Sequence, residues 1–352
     1  MIALLNKMLP YNRVPLLSGV RALLLCGMLV AAPVLAAEDV TTAALRLYEK
    51  HHYEDAARLL RPALAGMDGD RQASASLALG MIYLRSAALY RELHRTALVI
   101  ELDYLAQLKK QKTGSTSRFV DFYLGQALLE AGKSGDAVTY LRRFAERAGA
   151  NSPMQAFAEI ELGIAYSRQK QPQLAAGAWS NHDVGNPAIQ AALAGAYAET
   201  GVQAQKPVEM ADAVLQGEKL LHHAPDARMV RNLLRVYSQS GATEKALDLI
   251  DENGLKDAVY VENLGSFKSI NFYDLSILRD MAKTHLAAAL LYLEQAKRDV
   301  KTGPSASYYL ADAYLQQGDA ELSLRAAASF LAQVQIPQQH RDSVSLYQTA
   351  AH

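Results

Sequence analysis

Ala194-Gly195-Ala196-Tyr197-Ala198-Glu199-Thr200-Gly201 decides the fold, because the chain repeats it. Leu124-Gly125-Gln126-Ala127-Leu128-Leu129-Glu130-Ala131-Gly132 has the same form. So do Leu234-Arg235-Val236-Tyr237-Ser238-Gln239-Ser240-Gly241 and Leu310-Ala311-Asp312-Ala313-Tyr314-Leu315-Gln316-Gln317-Gly318. Leu162-Gly163-Ile164-Ala165-Tyr166 follows suit, but Lys170 stands where the others have glycine. Each stretch reads as a helix with a small residue or leucine, an aromatic or leucine three positions on, and a glycine four further. That spacing puts the small and the large residue on one face. The glycine ends the helix in a left-handed conformation at no steric cost. A second helix follows, as in Lys245-Ala246-Leu247-Asp248-Leu249-Ile250. The small residue of the first helix lets its neighbour approach, and an alanine of the second, such as Ala137, Ala175 or Ala246, packs into the same seam. No such pair buries its apolar face alone, so neighbours must stack.

This pattern resembles the tetratricopeptide repeat family, with its leucine-glycine pair, tyrosine, second-helix alanine and aromatic behind it. Trp179 occupies that last position in its unit and reads as core. Five stretches match well, beginning near residues 118, 156, 187, 227 and 304, and weaker ones begin near 37 and 73. The first weak one carries Tyr53-Glu54-Asp55-Ala56-Ala57, the second Leu79-Gly80 and Tyr83. The interval 264–303 leaves room for one degenerate unit. The resemblance implies an all-α fold, a right-handed superhelical solenoid of antiparallel helix pairs. The organisation expected is a signal peptide over 1–37, degenerate units over 38–112, a central array over 113–255, C-terminal units over 256–336 and a polar tail over 337–352. Within it, Arg85 to Gln111 lacks a glycine turn, Lys110 to Ser117 is a polar break, and Lys256 to Asn271 reads as a loop between two sub-arrays. Gln203 to Met210 is an insertion, with Pro207 starting the helix that follows it.

The amino terminus has the marks of export. Lys7, Arg13 and Arg21 precede the apolar run Ala22 to Val34, and no acidic residue occurs before Glu38. Small residues at Ala36 and Ala37 fit cleavage after either one, and the run is too short and proline-interrupted to span a bilayer comfortably. An uncleaved anchor is the alternative. Cys26, the one cysteine, sits inside the apolar run after two leucines, which does not suit lipid attachment. Cleavage leaves a chain with three more acidic than basic residues and no cysteine. That excludes disulfides, thiol catalysis and cysteine metal sites. Near-neutral charge argues against nucleic acid and anionic membrane as partners. No later run is long enough to cross a membrane, so the expected compartment is a bacterial periplasm.

Arrays of this family bind partners on the concave face, lined by the first helix of each pair. By resemblance the matching positions include Phe119, Phe122, Gln126 and Glu130, then Arg168, then Arg228, Arg231, Arg235 and Gln239, and last Tyr308 and Asp312. Arg228, Arg231 and Arg235 fall on one helical stripe. The bland reading is a solvated face; the functional one is a clamp for a carboxylate or an acidic peptide, which guanidinium forks suit. Phe119 and Phe122 read first as packing between repeats.

His51-His52 and His222-His223 are adjacent pairs, and neighbours on a helix point about 100° apart, so neither chelates easily. No His-Glu-x-x-His, Gly-x-Ser-x-Gly, Gly-x-Gly-x-x-Gly or phosphate loop occurs. No metal site, cofactor or catalytic activity is expected. The expected function is a periplasmic scaffold for a protein or peptide partner in envelope assembly, secretion or maturation, of unspecified oligomeric state. The alternatives are a helical accessory domain of a cell-wall enzyme system and a self-assembling structural array.

Overall fold

The computed structural model describes residues 39–110, 116–149, 152–180, 182, 185–221, 223, 227–253, 259–260, 272–273 and 275–334. The signal-like segment with Cys26, the middle of the polar break, His222 and the polar tail lie outside them. The described chain is helical, apart from Val259–Tyr260 (β1), inside the segment expected to be a loop, pairing antiparallel with Phe272–Tyr273 (β2) just after it.

The helices are α1 (Val40–Glu49), α2 (Tyr53–Leu64), α3 (Gly69–Lys110), α4 (Thr116–Glu130), α5 (Ser134–Arg147), α6 (Pro153–Arg168) and α7 (Pro172–Trp179). They continue with α8 (Pro187–Thr200), α9 (Pro207–Leu220), α10 (Ala227–Gln239), α11 (Thr243–Asn253), α12 (Leu275–Ala296), α13 (Gly303–Gln317) and α14 (Ala320–Gln333). A 3₁₀ turn, Gln203–Gln205, fills the insertion, and Pro207 opens α9.

Sequence chemistry sets the ends. Ser152 accepts from the Gln155 amide at 3.2 Å and Pro153 follows it into α6. Asn186 caps α8 through the amides of Ala188 and Ile189, again with a proline next. Side-chain oxygens at these positions satisfy amide donors the helix cannot. Between paired helices, Gly132, Gly201, Gly241 and Gly318 have φ of 73°, 75°, 72° and 92°. Lys170 takes the same left-handed conformation at φ 59°, although it has a Cβ.

Pairs α4/α5, α6/α7, α8/α9, α10/α11 and α13/α14 pack as hairpins. Close approach needs the small residue of the first helix. A Cβ on Gly163 would lie 2.1 Å from the Trp179 Nε1, and one on Gly125 would lie 2.6 Å from Leu141. Trp179 is buried, and its Nε1 donates to the Ile160 carbonyl at 3.1 Å.

Two long helices break the hairpin rhythm. The second weak unit and the stretch after it form one 42-residue helix, α3, which contains neither glycine nor proline beyond Gly80. The interval 264–303, where a degenerate unit was expected, holds the 22-residue α12. These two lie antiparallel. Ser76 meets Gln295, Gly80 sits under Leu293, Tyr83 stacks on Tyr292 at 5.8 Å, and Tyr90 reaches His285 at 5.3 Å.

That pairing produces two cores. One runs from Tyr90 through the central hairpins to Ala282. The other joins α1, α2 and the first half of α3 to α12, α13 and α14, so the two ends of the described chain share it. Arg61 of α2 crosses to α11, pairing with Glu244, Asp248 and Asp251 at 3.1, 2.6 and 2.8 Å. Helices α4, α6, α8, α10 and α12 touch in that order, and α12 touches α4. Contacts in a simple linear stack would not return to their start.

Two substitutions test this packing. Lys170→Gly should raise stability by about 1 kcal/mol by removing a left-handed residue with a side chain. Gly163→Ala should lower it by about 1–3 kcal/mol by forcing α6 and α7 apart at Trp179. Urea unfolding of each variant measures both.

Candidate functional site

The inner ends of the first helices meet α12 in a buried ionic network. In α4, α6, α8 and α10 the residue two positions before the turn is Glu130, Arg168, Glu199 and Gln239. Repetition of the hairpin brings all of them to one place. Arg279 of α12 lies among them, its Nη1 donating to Glu130 at 2.7 Å and its Nη2 to Glu199 at 3.4 Å. It also holds the carboxylate of its neighbour Asp280 at 3.1 and 3.2 Å. Arg235 pairs with Glu199 at 3.2 Å and with Glu161 at 3.5 Å. Arg168 pairs with Glu199 and donates to the Leu129 carbonyl. Gln126 donates to Glu161, Gln239 to Asp280, and Lys283 to Gln239. His94 of α3 closes the circuit against Glu130 at 3.4 Å.

The carboxylates of the network are nearly dry. The side chains of Glu130, Glu161 and Glu199 are each 8% exposed, Arg235 3% and Asp280 0%. Its carboxylates Glu130, Glu161, Glu199 and Asp280 are matched by Arg168, Arg235, Arg279 and Lys283. Burial alone would raise the Glu199 carboxyl, but Arg235, Arg279 and Arg168 outweigh it and hold it at about 2. Burial likewise opposes ionisation of Glu130, and Arg279, helped by the nearby His94, carries it below the ordinary range. Asp280 goes the other way, raised by burial against the pull of Arg279. A charge moved into a low dielectric is tolerated only when paired in this fashion.

The residues expected to line a partner groove divide into four groups. Gln126, Arg168, Arg235 and Gln239 belong to the network. Arg228 and Arg231 lie on the same helix but outside it. Arg231 is buried, and Arg228 stacks its guanidinium over Phe157 at 4.7 Å and donates to the Met154 sulfur. The arginine stripe is therefore not a solvated face. Arg235 has its carboxylates inside the chain already. Phe122 is fully buried against Phe144, with ring centroids 5.2 Å apart, and Phe119 is half-buried beside the same ring. Tyr308 and Asp312 sit on α13, in the other core region. Tyr308 packs edge-on to Tyr309 and beside Phe330, and Asp312 accepts from Gln316 at 3.2 Å.

Sequence reasoning missed Glu161, Glu199, His94, Arg279 and Asp280. The signal for Glu199 was present, since it holds the register of Glu130 and Arg168 ahead of the turn. Arg279 and Asp280 had none, because α12 carries no repeat motif.

A second buried polar group lies further along the α3–α12 pair. His285 is fully buried between Tyr83 and Tyr90, and neither ring nitrogen has a hydrogen-bond partner. Glu54 stands 3.6 Å away, and burial pushes the imidazole below its ordinary range despite it. Among the described residues no group of three or more His, Cys, Asp or Glu side chains is placed to hold a metal ion, and no helix is long and apolar enough to cross a membrane. Comparison with protein-family models and with curated proteins finds no match.

Arg279→Met removes a cation from Glu130 and Glu199 and should cost about 3 kcal/mol at neutral pH. The wild-type Glu199 is depressed from an ordinary 4.5 to about 2. Its contribution is thus complete above pH 4.5 and lost as the pH falls towards 2. With Arg279 gone, that carboxyl rises and acid unfolding should begin at higher pH. Circular dichroism across an acid titration of both proteins measures the difference.

Proposed function

We propose that this protein is an exported scaffold of the tetratricopeptide type, built from a right-handed row of helix hairpins that holds a protein partner in an envelope assembly, secretion or maturation complex. The observation that carries the reading is the register of polar residues along the first helices. Glu130, Arg168, Glu199 and Gln239 repeat two positions before successive turns and converge on one inner surface. Scaffolds of this kind present first-helix side chains at repeat spacing. Here α12 covers that surface and neutralises it, so the partner meets the rim and the outer faces. An open groove beside α12, lined by Ala242, Lys245, Ala287, Leu290 and Leu291, is one such face.

The chemistry of the network favours a scaffold over a catalyst. Its carboxylates are engaged by guanidinium groups, an arrangement that supports a structural role for them. The lysine- and arginine-bearing start of the chain, the apolar run Ala22 to Val34 and Ala36-Ala37 support export.

Amino-terminal sequencing of the protein from a periplasmic fraction should give Ala37 or Glu38 as the first residue; a start at Met1 or Met8 rejects cleavage. Affinity capture from envelope extracts should recover one partner at fixed stoichiometry, reproducible with the purified components by calorimetry. Recovery of none, together with turnover of peptidoglycan by the purified protein, would replace the scaffold with an enzyme.

A further inference from the structure

We propose that Lys109, Arg143 and Arg147 form a preorganised docking patch for an aspartate- and glutamate-rich segment of a partner protein. The inference rests on the scaffold reading and names the partner's chemistry. Its centre is Asp121 of α4, whose side chain is only 1% exposed. Lys109 at the end of α3 contacts one oxygen of that carboxylate, as does Arg143 at 3.9 Å, and Arg147 reaches the other at 3.5 Å. One buried negative charge thus gathers three positive ones, leaving two uncompensated at the surface.

The geometry holds them ready. Arg143 and Arg147 are one turn apart on α5, so their guanidinium groups lie on the same stripe. Two of the cations lie over the Tyr140 ring, the Lys109 ammonium 5.9 Å and the Arg143 guanidinium 5.6 Å from its centroid. Cations over an aromatic face gain attraction there and are restrained by it. Exposure rises outward, from 26% for Lys109 through 38% for Arg143 to 61% for Arg147. The inner edges of these side chains meet Asp121 while their outer N–H groups face water. Among the described residues the ion pairs of Arg143 and Arg147 are with Asp121, and none within 4.0 Å joins either to Glu146.

Recognition follows from the donor set. Guanidinium pairs match carboxylates two bonds at a time. Because the side chains are already gathered, a ligand has less side-chain ordering to supply. The whole chain carries equal numbers of acidic and basic residues, so this is a local concentration of charge and not a general affinity for polyanions. The patch belongs to α3, α4 and α5 and is separate from the network around Arg279.

The test titrates the full chain against a fluorescent peptide of alternating aspartate and glutamate, with an asparagine–glutamine peptide as control. The acidic peptide should bind and the control should not, and added salt should weaken binding. Arg143→Gln with Arg147→Gln should reduce affinity about tenfold or more, the order expected when charge-assisted hydrogen bonds are lost. Arg143→Lys with Arg147→Lys keeps charge without the forks and should fall between. Arg325→Gln, on the exposed outer face of α14, should bind as wild type. Equal binding by all variants overturns the patch, as does no binding at low salt. Preference for anionic lipid vesicles over the peptide overturns the protein partner. A captured partner indifferent to the glutamine substitutions removes the patch and leaves the scaffold. Peptide binding at the patch with no partner captured keeps the patch and removes the complex.

Discussion

Leu293 over Gly80 is the contact on which the rest of the molecule turns. A side chain at position 80 would meet Leu293 at 2.5 Å, so glycine there lets α12 lie flat along α3. Around that contact α1, α2, α13 and α14 gather into a single core. Along the pair from there, Tyr83 meets Tyr292 and Tyr90 meets His285. Further the same way, Arg279 and Asp280 come against the turns of the central hairpins. Were α12 displaced by a helix diameter, Glu130 and Glu199 would be buried without Arg279, at a cost no surface ion pair could offset.

The ionic network is a product of repetition meeting one irregular element. Four hairpins with a common register deliver polar side chains to one point, with signs that alternate from Glu130 to Arg168 to Glu199. Such an arrangement is already close to electrically balanced. Arg235, Arg279 and Lys283 complete the balance against Glu161 and Asp280. Because its carboxylates are almost wholly covered and paired, the network fixes the relative positions of α4, α6, α8, α10 and α12 more tightly than apolar contacts would. Apolar surfaces tolerate sliding, whereas directional bonds to buried charges do not.

The hairpins were legible in the sequence because what builds them is local. A small residue, an aromatic three positions on and a glycine four further specify a helix, its partner and the turn between them. The turn glycines could be placed from spacing, and Trp179 from the resemblance to the repeat pattern. Lys170 was visible as the exception and takes the conformation the pattern demands. The α3–α12 pairing was not legible, because it joins residues about 200 positions apart and α12 has no motif. This also explains why the arginine stripe was ambiguous. Spacing puts Arg228, Arg231 and Arg235 on one side of α10, but whether that side faces water depends on what lies against it. In a row left open it would be exposed; with α12 in place, Arg231 and Arg235 are inside. Phe119 and Phe122 lie against Phe144 of α5, the partner helix of their own hairpin, where spacing alone suggests packing between repeats.

The shared core of the first and last hairpins has a kinetic side. A ribosome or a translocation pore delivers residues in order, and most hairpins here can close as soon as their own two helices have emerged. The core formed by α1, α2 and the first half of α3 cannot, because its missing wall, α12, comes about 200 residues later. Until then Leu79, Ile82 and Tyr83 stay uncovered, and the long loop that must close gives the final step a high contact order. An unfinished chain therefore carries an apolar surface shaped to fit only its own last third, which makes the interval before α12 arrives the time of greatest risk of aggregation.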